Sequence, residues 1–129
     1  MAEVFDHPVR VRWRDMDALG HVNHAVFLTF LEEGRDAFYA RFLGDPAYVV
    51  VRLEVDLRSE VRQEDQQVTV QIAVERVGTA SLTTRETVLK AGNVVAAQAR
   101  VVTVRWDAAG HQAVPFADGH RQVLRALAG

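Results

Sequence analysis

His24 to Leu43 reads HAVFLTFLEEGRDAFYARFL, and the reading of this stretch decides the fold. Thr29, Glu32, Glu33, Asp36 and Ala40 fall on one stripe at helical spacing. Val26, Phe27, Leu28, Phe30, Leu31, Ala37, Phe38, Tyr39 and Phe42 cover most of the remaining surface. A helix with so narrow a polar stripe must be covered by other elements over most of its circumference. At ~1.5 Å per residue it extends ~30 Å, about the width of a small domain. Gly44, Asp45 and Pro46 then supply a stop signal.

The flanks read differently. Val9 to Arg14, VRVRWR, alternates Val9, Val11 and Trp13 with arginines, which predicts a strand with one face buried. Met16 to Val22, with Gly20 inside, is a turn. From Tyr48 to Asp107 the pattern is that of strands. Val49, Val51, Leu53, Val55 and Leu57 form one apolar face, and Val68, Val70, Ile72 and Val74 another. A polar turn (Arg62 to Gln67), a tight connection (Val77 to Ser81) and a hairpin turn (Ala91 to Asn93) separate them. A change of apolar phase from Val101 to Val102 predicts a β-bulge or a change of packing partner there. Phe116 to Leu127 is expected to form a short terminal helix. The order is strand, long helix, then four strands in meander order. One sheet and one long apolar helix must bury their apolar faces against each other. The expected architecture is α+β, a curved antiparallel sheet wrapped around one central helix, in a single domain over residues 1–129.

The length, 129 residues, suits one domain. With 49% hydrophobic and 25% charged residues the balance is that of a globular protein. The net charge of −2 disfavours nucleic acid and anionic membranes as partners. The lack of cysteine excludes disulfides, thiolate metal sites and a cysteine nucleophile. No apolar run approaches the ~20 residues that span a bilayer, and no signal peptide is visible. The expected location is the cytoplasm.

Immediately before the helix, Asp15, Asp17, His21 and His24 crowd onto one turn. Asp15 and Asp17 can serve as turn residues and Asn23 as a helix N-cap. The four side chains can also be read as metal ligands. Against that, Asp15 and Asp17 point to opposite faces of any extended segment, and no metal motif has this spacing. A third reading is carboxylate catalysis at a helix amino terminus. The first helical turn offers unpaired N–H groups and the positive end of the helix dipole, which together hold and polarise a carbonyl oxygen. A carboxylate six residues before Asn23, with Gly20 between to bend the chain back, can attack that carbonyl or deprotonate a water.

RWRDMDALGHVNHAVFLTFLEEGR, Arg12 to Arg35, resembles the signature of the 4-hydroxybenzoyl-CoA thioesterase family of hotdog-fold acyl-CoA thioesterases. The matching positions are Trp13, Asp15, Met16, Asp17, Gly20, His21, Val22, Asn23, His24, Glu32, Gly34 and Arg35. His24 stands where a second Asn is commoner.

The resemblance implies a hotdog fold and hydrolysis of an acyl-CoA thioester to a carboxylic acid and coenzyme A. Asp17 is then the nucleophile or general base, the backbone N–H of His24 polarises the carbonyl, and Asn23 fixes the turn or holds the water. Gly20 and His21 belong to the substrate-binding turn. The pantetheine arm runs along ERVGTAS, which brings in Arg76, Gly78, Thr79 and Ser81. Phosphates meet basic side chains drawn from Arg76, Arg85, Lys90, Arg100 and Arg105, with Arg76 first. Active sites form between the subunits of a homodimer, often paired into a homotetramer. No metal and no cofactor beyond the substrate's own coenzyme A are implied. The alternative is a non-catalytic hotdog protein that binds an acyl-CoA or acyl carrier.

Overall fold

The computed structural model describes residues 3–44 and 47–129. Helix α1 spans His24–Leu43, as its spacing predicts. Asn23 caps it, its Oδ1 accepting the Ala25 N–H at 2.9 Å. At the other end the Gly44 N–H bonds the Tyr39 carbonyl. Of the expected stop signal, Asp45 and Pro46 lie outside the described residues.

Seven-residue strand β1 (Val4–Arg10) precedes α1. Strands β2 (Tyr48–Leu57), β3 (Gln67–Val77), β4 (Ser81–Lys90) and β5 (Val94–Asp107) follow it. A two-residue β6 (Gln112–Ala113) and helix α2 (Asp118–Ala128) end the chain. The sheet order is β1-β3-β4-β5-β2, with β6 on β5, and every pairing is antiparallel. Among the described residues no helix is long and apolar enough to cross a membrane.

Phe27, Phe30, Leu31, Phe38 and Tyr39 of α1 are buried with Val68, Val70 and Ile72 of β3 and Val101 of β5. Burial of each large apolar side chain contributes about 1.5–3 kcal/mol. Helix and sheet approach closely at Gly34, where an added Cβ would lie 2.7 Å from Val70 Cβ. Phe116, Leu124 and Leu127 add the tail to the same core.

Three details correct the expectations. First, the strand does not run through Trp13. Trp13–Asp15 is a 3₁₀ turn, and Trp13 is 77% exposed. Asp15 Oδ2 accepts the Arg12 N–H at 2.8 Å, and the Met16 N–H bonds the Trp13 carbonyl at 3.1 Å. These local bonds override the alternation. Second, β2 does not join a meander. It pairs with β5 at the far edge, where the Trp106 N–H bonds the Ala47 carbonyl at 2.9 Å and anchors its start. Periodicity specifies which face of a strand is buried and says nothing about its neighbour. Third, of the two readings of the phase change, the bulge is not found at Val101–Val102, where the register is continuous with both neighbouring strands. Val101 and Thr103 are buried, while Val102 and Val104, on the other face, are half-buried. The irregularities in the pairings of β5 lie between Val50 and Arg52 in β2 and between Val88 and Leu89 in β4, where Ala96 of β5 is skipped.

Candidate active site

Asp17 opens a turn closed by backbone bonds from the Asp17 N–H to the His21 carbonyl (2.8 Å) and from the Gly20 N–H to the Asp17 carbonyl (3.1 Å). Gly20 takes φ +79°, a conformation that costs a side-chain-bearing residue. Asp17 Oδ1 accepts the Leu19 N–H at 2.9 Å and the His21 N–H at 3.3 Å. These two bonds orient the carboxylate and leave Oδ2 without a partner among the described residues.

Behind this turn, Met16 bridges to Val22, the Val22 N–H bonds the Val61 carbonyl at 2.8 Å, and the Asn23 N–H bonds the Asp15 carbonyl at 2.9 Å. These bonds bring the turn back against the start of α1. There the Ala25 N–H is taken by Asn23 Oδ1, and the Val26 N–H by the Asn23 carbonyl. The His24 N–H has no acceptor among the described residues. Asp17, His21, Val22, His24 and Phe27 form one wall of a groove of about 350 Å³, and Leu57, Arg58, Ser59 and Glu60 form the other. Asp17 and His24, the first residue of α1 at the positive end of the helix, thus share one groove.

The structure brings Asp17, His21 and His24 together here. Asn23 serves from behind as the cap, and Gly20 shapes the turn. Asp15 is buried, 3% exposed, and bonded to Arg12, so it does not line the groove. Among the described residues no three His, Asp or Glu side chains converge as a metal site. His21 Nε2 instead meets Glu60 Oε2 at 2.7 Å. The Arg58–Glu60 wall was not foreseen, because nothing local in the sequence marks a loop that tertiary contacts bring opposite the turn.

The other expected binding residues gather elsewhere. Arg76, Gly78 and Ser81 line a second groove of about 490 Å³ on the sheet, with Arg52, Glu54, Thr83, Arg100 and Val102. Gly78 leaves no room for a Cβ beside Ser81 Oγ, so it packs within its own hairpin. Thr79 is not among the lining residues. Its carbonyl accepts the Phe116 N–H at 2.9 Å and Arg121 Nη2 at 3.2 Å, holding the tail.

The candidate phosphate-binding cations separate by their partners. Arg85 and Arg100 both donate to Glu75, at 3.4 and 2.7 Å, and the Arg100 bond leads in holding the Glu75 carboxyl below its usual range. Lys90 Nζ bonds the Glu60 carbonyl at 2.7 Å, and Arg105 Nη1 the Pro115 carbonyl at 2.8 Å. Arg76 alone of the five makes no hydrogen bond or ion pair through its side chain among the described residues.

A model of the thioesterase-like superfamily matches residues 11–125. No curated protein matches. Among solved structures, a thioesterase from Thermus thermophilus complexed with coenzyme A and Zn is 33% identical, with a TM-score of 0.78, over 96% of this chain and 93% of that one. A predicted thioesterase from Bacillus stearothermophilus is 29% identical, with a TM-score of 0.86, over 98% of this chain and 97% of that one. The protein SAV2348 from Staphylococcus aureus, in complex with CoA, shares the fold at 12% identity and a TM-score of 0.82, over 99% of this chain and 86% of that one. With its antiparallel sheet packed on one long helix, the fold is the hotdog fold. The chain belongs to the thioesterase-like superfamily.

Proposed function

We propose that the protein is an acyl-CoA thioesterase of the 4-hydroxybenzoyl-CoA thioesterase type, splitting the thioester into a carboxylic acid and coenzyme A. The observation that carries this reading is the shared groove. Asp17 and His24 both line it, with Asp17 Oδ1 already held by two amides. A thioester carbonyl oxygen on the His24 N–H gains from the helix dipole as negative charge develops. In the general-base route, Asp17 takes a proton from water, and the water oxygen bonds the carbonyl carbon. The C–S bond then breaks, and the coenzyme A thiolate takes a proton. In the nucleophilic route, Asp17 Oδ2 bonds the carbonyl carbon, the C–S bond breaks, and the coenzyme A thiolate leaves and takes a proton from solvent. Water then cleaves the anhydride, releasing the carboxylic acid and restoring Asp17.

In this reading the phosphates of coenzyme A meet Arg76, which is unpaired among the described residues, and the pantetheine runs past Gly78 and Ser81 of the same groove. The coenzyme A in the Thermus thermophilus relative supports that ligand class. Edge strand β2 exposes Val50, Val51, Leu53 and Leu57, and α1 exposes Leu28. An apolar unpaired edge favours pairing with a second copy, so the working unit in this reading is a homodimer or a homotetramer built from it. A cytoplasmic location and the lack of a resident cofactor belong to the same reading.

One observation favours a second reading. Asp17 Oδ1 is fully used in building the turn, as it would be in a protein that only binds acyl-CoA or an acyl carrier. Thiol release from acetyl-, octanoyl-, palmitoyl- and benzoyl-CoA separates the two. Turnover of any of them supports the enzyme, and none across the panel leaves the binder.

A further inference from the structure

We propose that His21 and Glu60 form a strap that fixes the Asp17 turn across the groove, making both of them positioning residues for the Asp17 carboxylate; this rests on the thioesterase reading. Glu60 is a well-anchored post. Its carbonyl accepts Lys90 Nζ at 2.7 Å. The neighbouring Arg58 and Ser59 N–H groups bond the Ala96 carbonyl at 2.8 and 3.2 Å, and Ser59 Oγ bonds the Val95 carbonyl at 2.9 Å. That loop is therefore tied to both β4 and β5.

The Asp17 turn is held differently. Its tip is exposed, with Leu19 at 78%, and the Asp17–His21 and Gly20–Asp17 bonds are internal to it. Among the described residues its backbone is tied at the base, where the Val22 N–H bonds the Val61 carbonyl and the Asn23 N–H bonds the Asp15 carbonyl. Among the described residues the 2.7 Å contact between His21 Nε2 and Glu60 Oε2 is the one side-chain bond from this turn to another element. The link to the carboxylate is short. The His21 N–H donates to Asp17 Oδ1, so the backbone that Glu60 restrains is the backbone that aims Asp17. Nε2 donates to the Glu60 carboxylate in the charged imidazole and in the neutral tautomer that carries its proton on Nε2. Arg62 Nε lies 3.9 Å from the other Glu60 oxygen and steadies the acceptor.

The test combines amide hydrogen exchange with steady-state thiol release from the same acyl-CoA panel, on wild type, Glu60→Ala, Glu60→Gln, His21→Ala and the double alanine variant. In Glu60→Ala, exchange of the Leu19 and His21 amides should rise ~5-fold or more while β4 and β5 amides keep their rates. Its kcat should fall ~10-fold with KM little changed, because aim is lost rather than binding. Glu60→Gln keeps an oxygen for Nε2–H and should retain most of kcat. The double variant should be no worse than the poorer single variant. Unchanged exchange in Glu60→Ala overturns the strap, and faster exchange with wild-type kcat overturns its positioning role. If the wild type releases no thiol from the panel, the thioesterase reading falls, and the exchange rates alone decide whether Glu60 holds the turn.

Discussion

Arg35 of α1 donates through Nε and Nη2 to the two carboxylate oxygens of Glu86 on β4, at 2.9 and 2.8 Å, in a site where the residues are 3% and 0% exposed. Burial alone would disfavour the guanidinium charge, but the Glu86 bonds and charge outweigh it and keep Arg35 protonated. Thr84 Oγ1 donates a further bond to Glu86 Oε2 at 2.8 Å. Glu86→Ala leaves a buried cation unpaired, which costs about 3–5 kcal/mol, whereas an apolar pair such as Arg35→Met with Glu86→Leu should cost much less. Urea denaturation of the three proteins measures both.

Gly34, one position before Arg35, allows α1 to touch β3. Gly34→Ala places a methyl group against Val70. The gain in helix propensity is about 1 kcal/mol, smaller than or equal to the overpacking cost of about 1–3 kcal/mol. The expected result is a net loss of stability that Val70→Ala partly restores. A double-mutant cycle in denaturant reads the coupling. Simple additivity would show that the two sites do not touch.

Much of this was legible in the sequence, for physical reasons. The bounds of α1 coincide with its apolar period, its Asn23 cap and its Gly44 end because all three signals are local. The Asp17 turn was legible because a carboxylate, Gly20 and an N-cap within a few residues can only meet one another. What escaped depends on distant partners. β2 could not be placed beside β5, nor Glu60 opposite His21, from alternation alone. Glu86 reads as one more polar residue in a Thr-rich strand, and only contact with Arg35 explains its burial.

Asp17→Asn separates chemistry from folding. The amide oxygen of Asn can still accept from the Leu19 and His21 amides, so the turn and the melting temperature should be kept. It can neither take a proton nor act as an effective nucleophile, so kcat should fall ~10²-fold or more. Thiol-release kinetics beside thermal melts provide the comparison. Retained turnover would move the catalytic role off Asp17.

Arg76→Ala tests the phosphate end of the ligand. Losing one charge-assisted bond at an exposed site should raise KM for acyl-CoA ~10-fold with kcat preserved. The same acyl group on pantetheine, which lacks the phosphates, should show no difference between the proteins. Arg105→Ala is the control, since its guanidinium is engaged by the Pro115 carbonyl and should leave KM unchanged. Equal effects on both substrates would place Arg76 outside the phosphate site.

Tyr39 should make stability fall in alkali. Its ring is fully buried and stacks on Tyr48 with centroids 4.4 Å apart. Burial pushes its phenol from 10.0 up to about 12, against the opposing pull of its Thr103 hydrogen bond and the Arg35 charge. A folded pKa above the unfolded one means that the contribution is fully present below pH 10 and is lost as pH rises towards 12. In that window the unfolded chain sheds the proton and the folded chain keeps it, a loss of about 1.4 kcal/mol per pH unit. Tyr48, also raised chiefly by burial and by its hydrogen bond to Asp36, steepens the same decline. Urea denaturation between pH 8 and 12 should therefore show a falling stability that is shallower in Tyr39→Phe, and equal slopes in the two proteins would mean that Tyr39 ionises freely in the folded state.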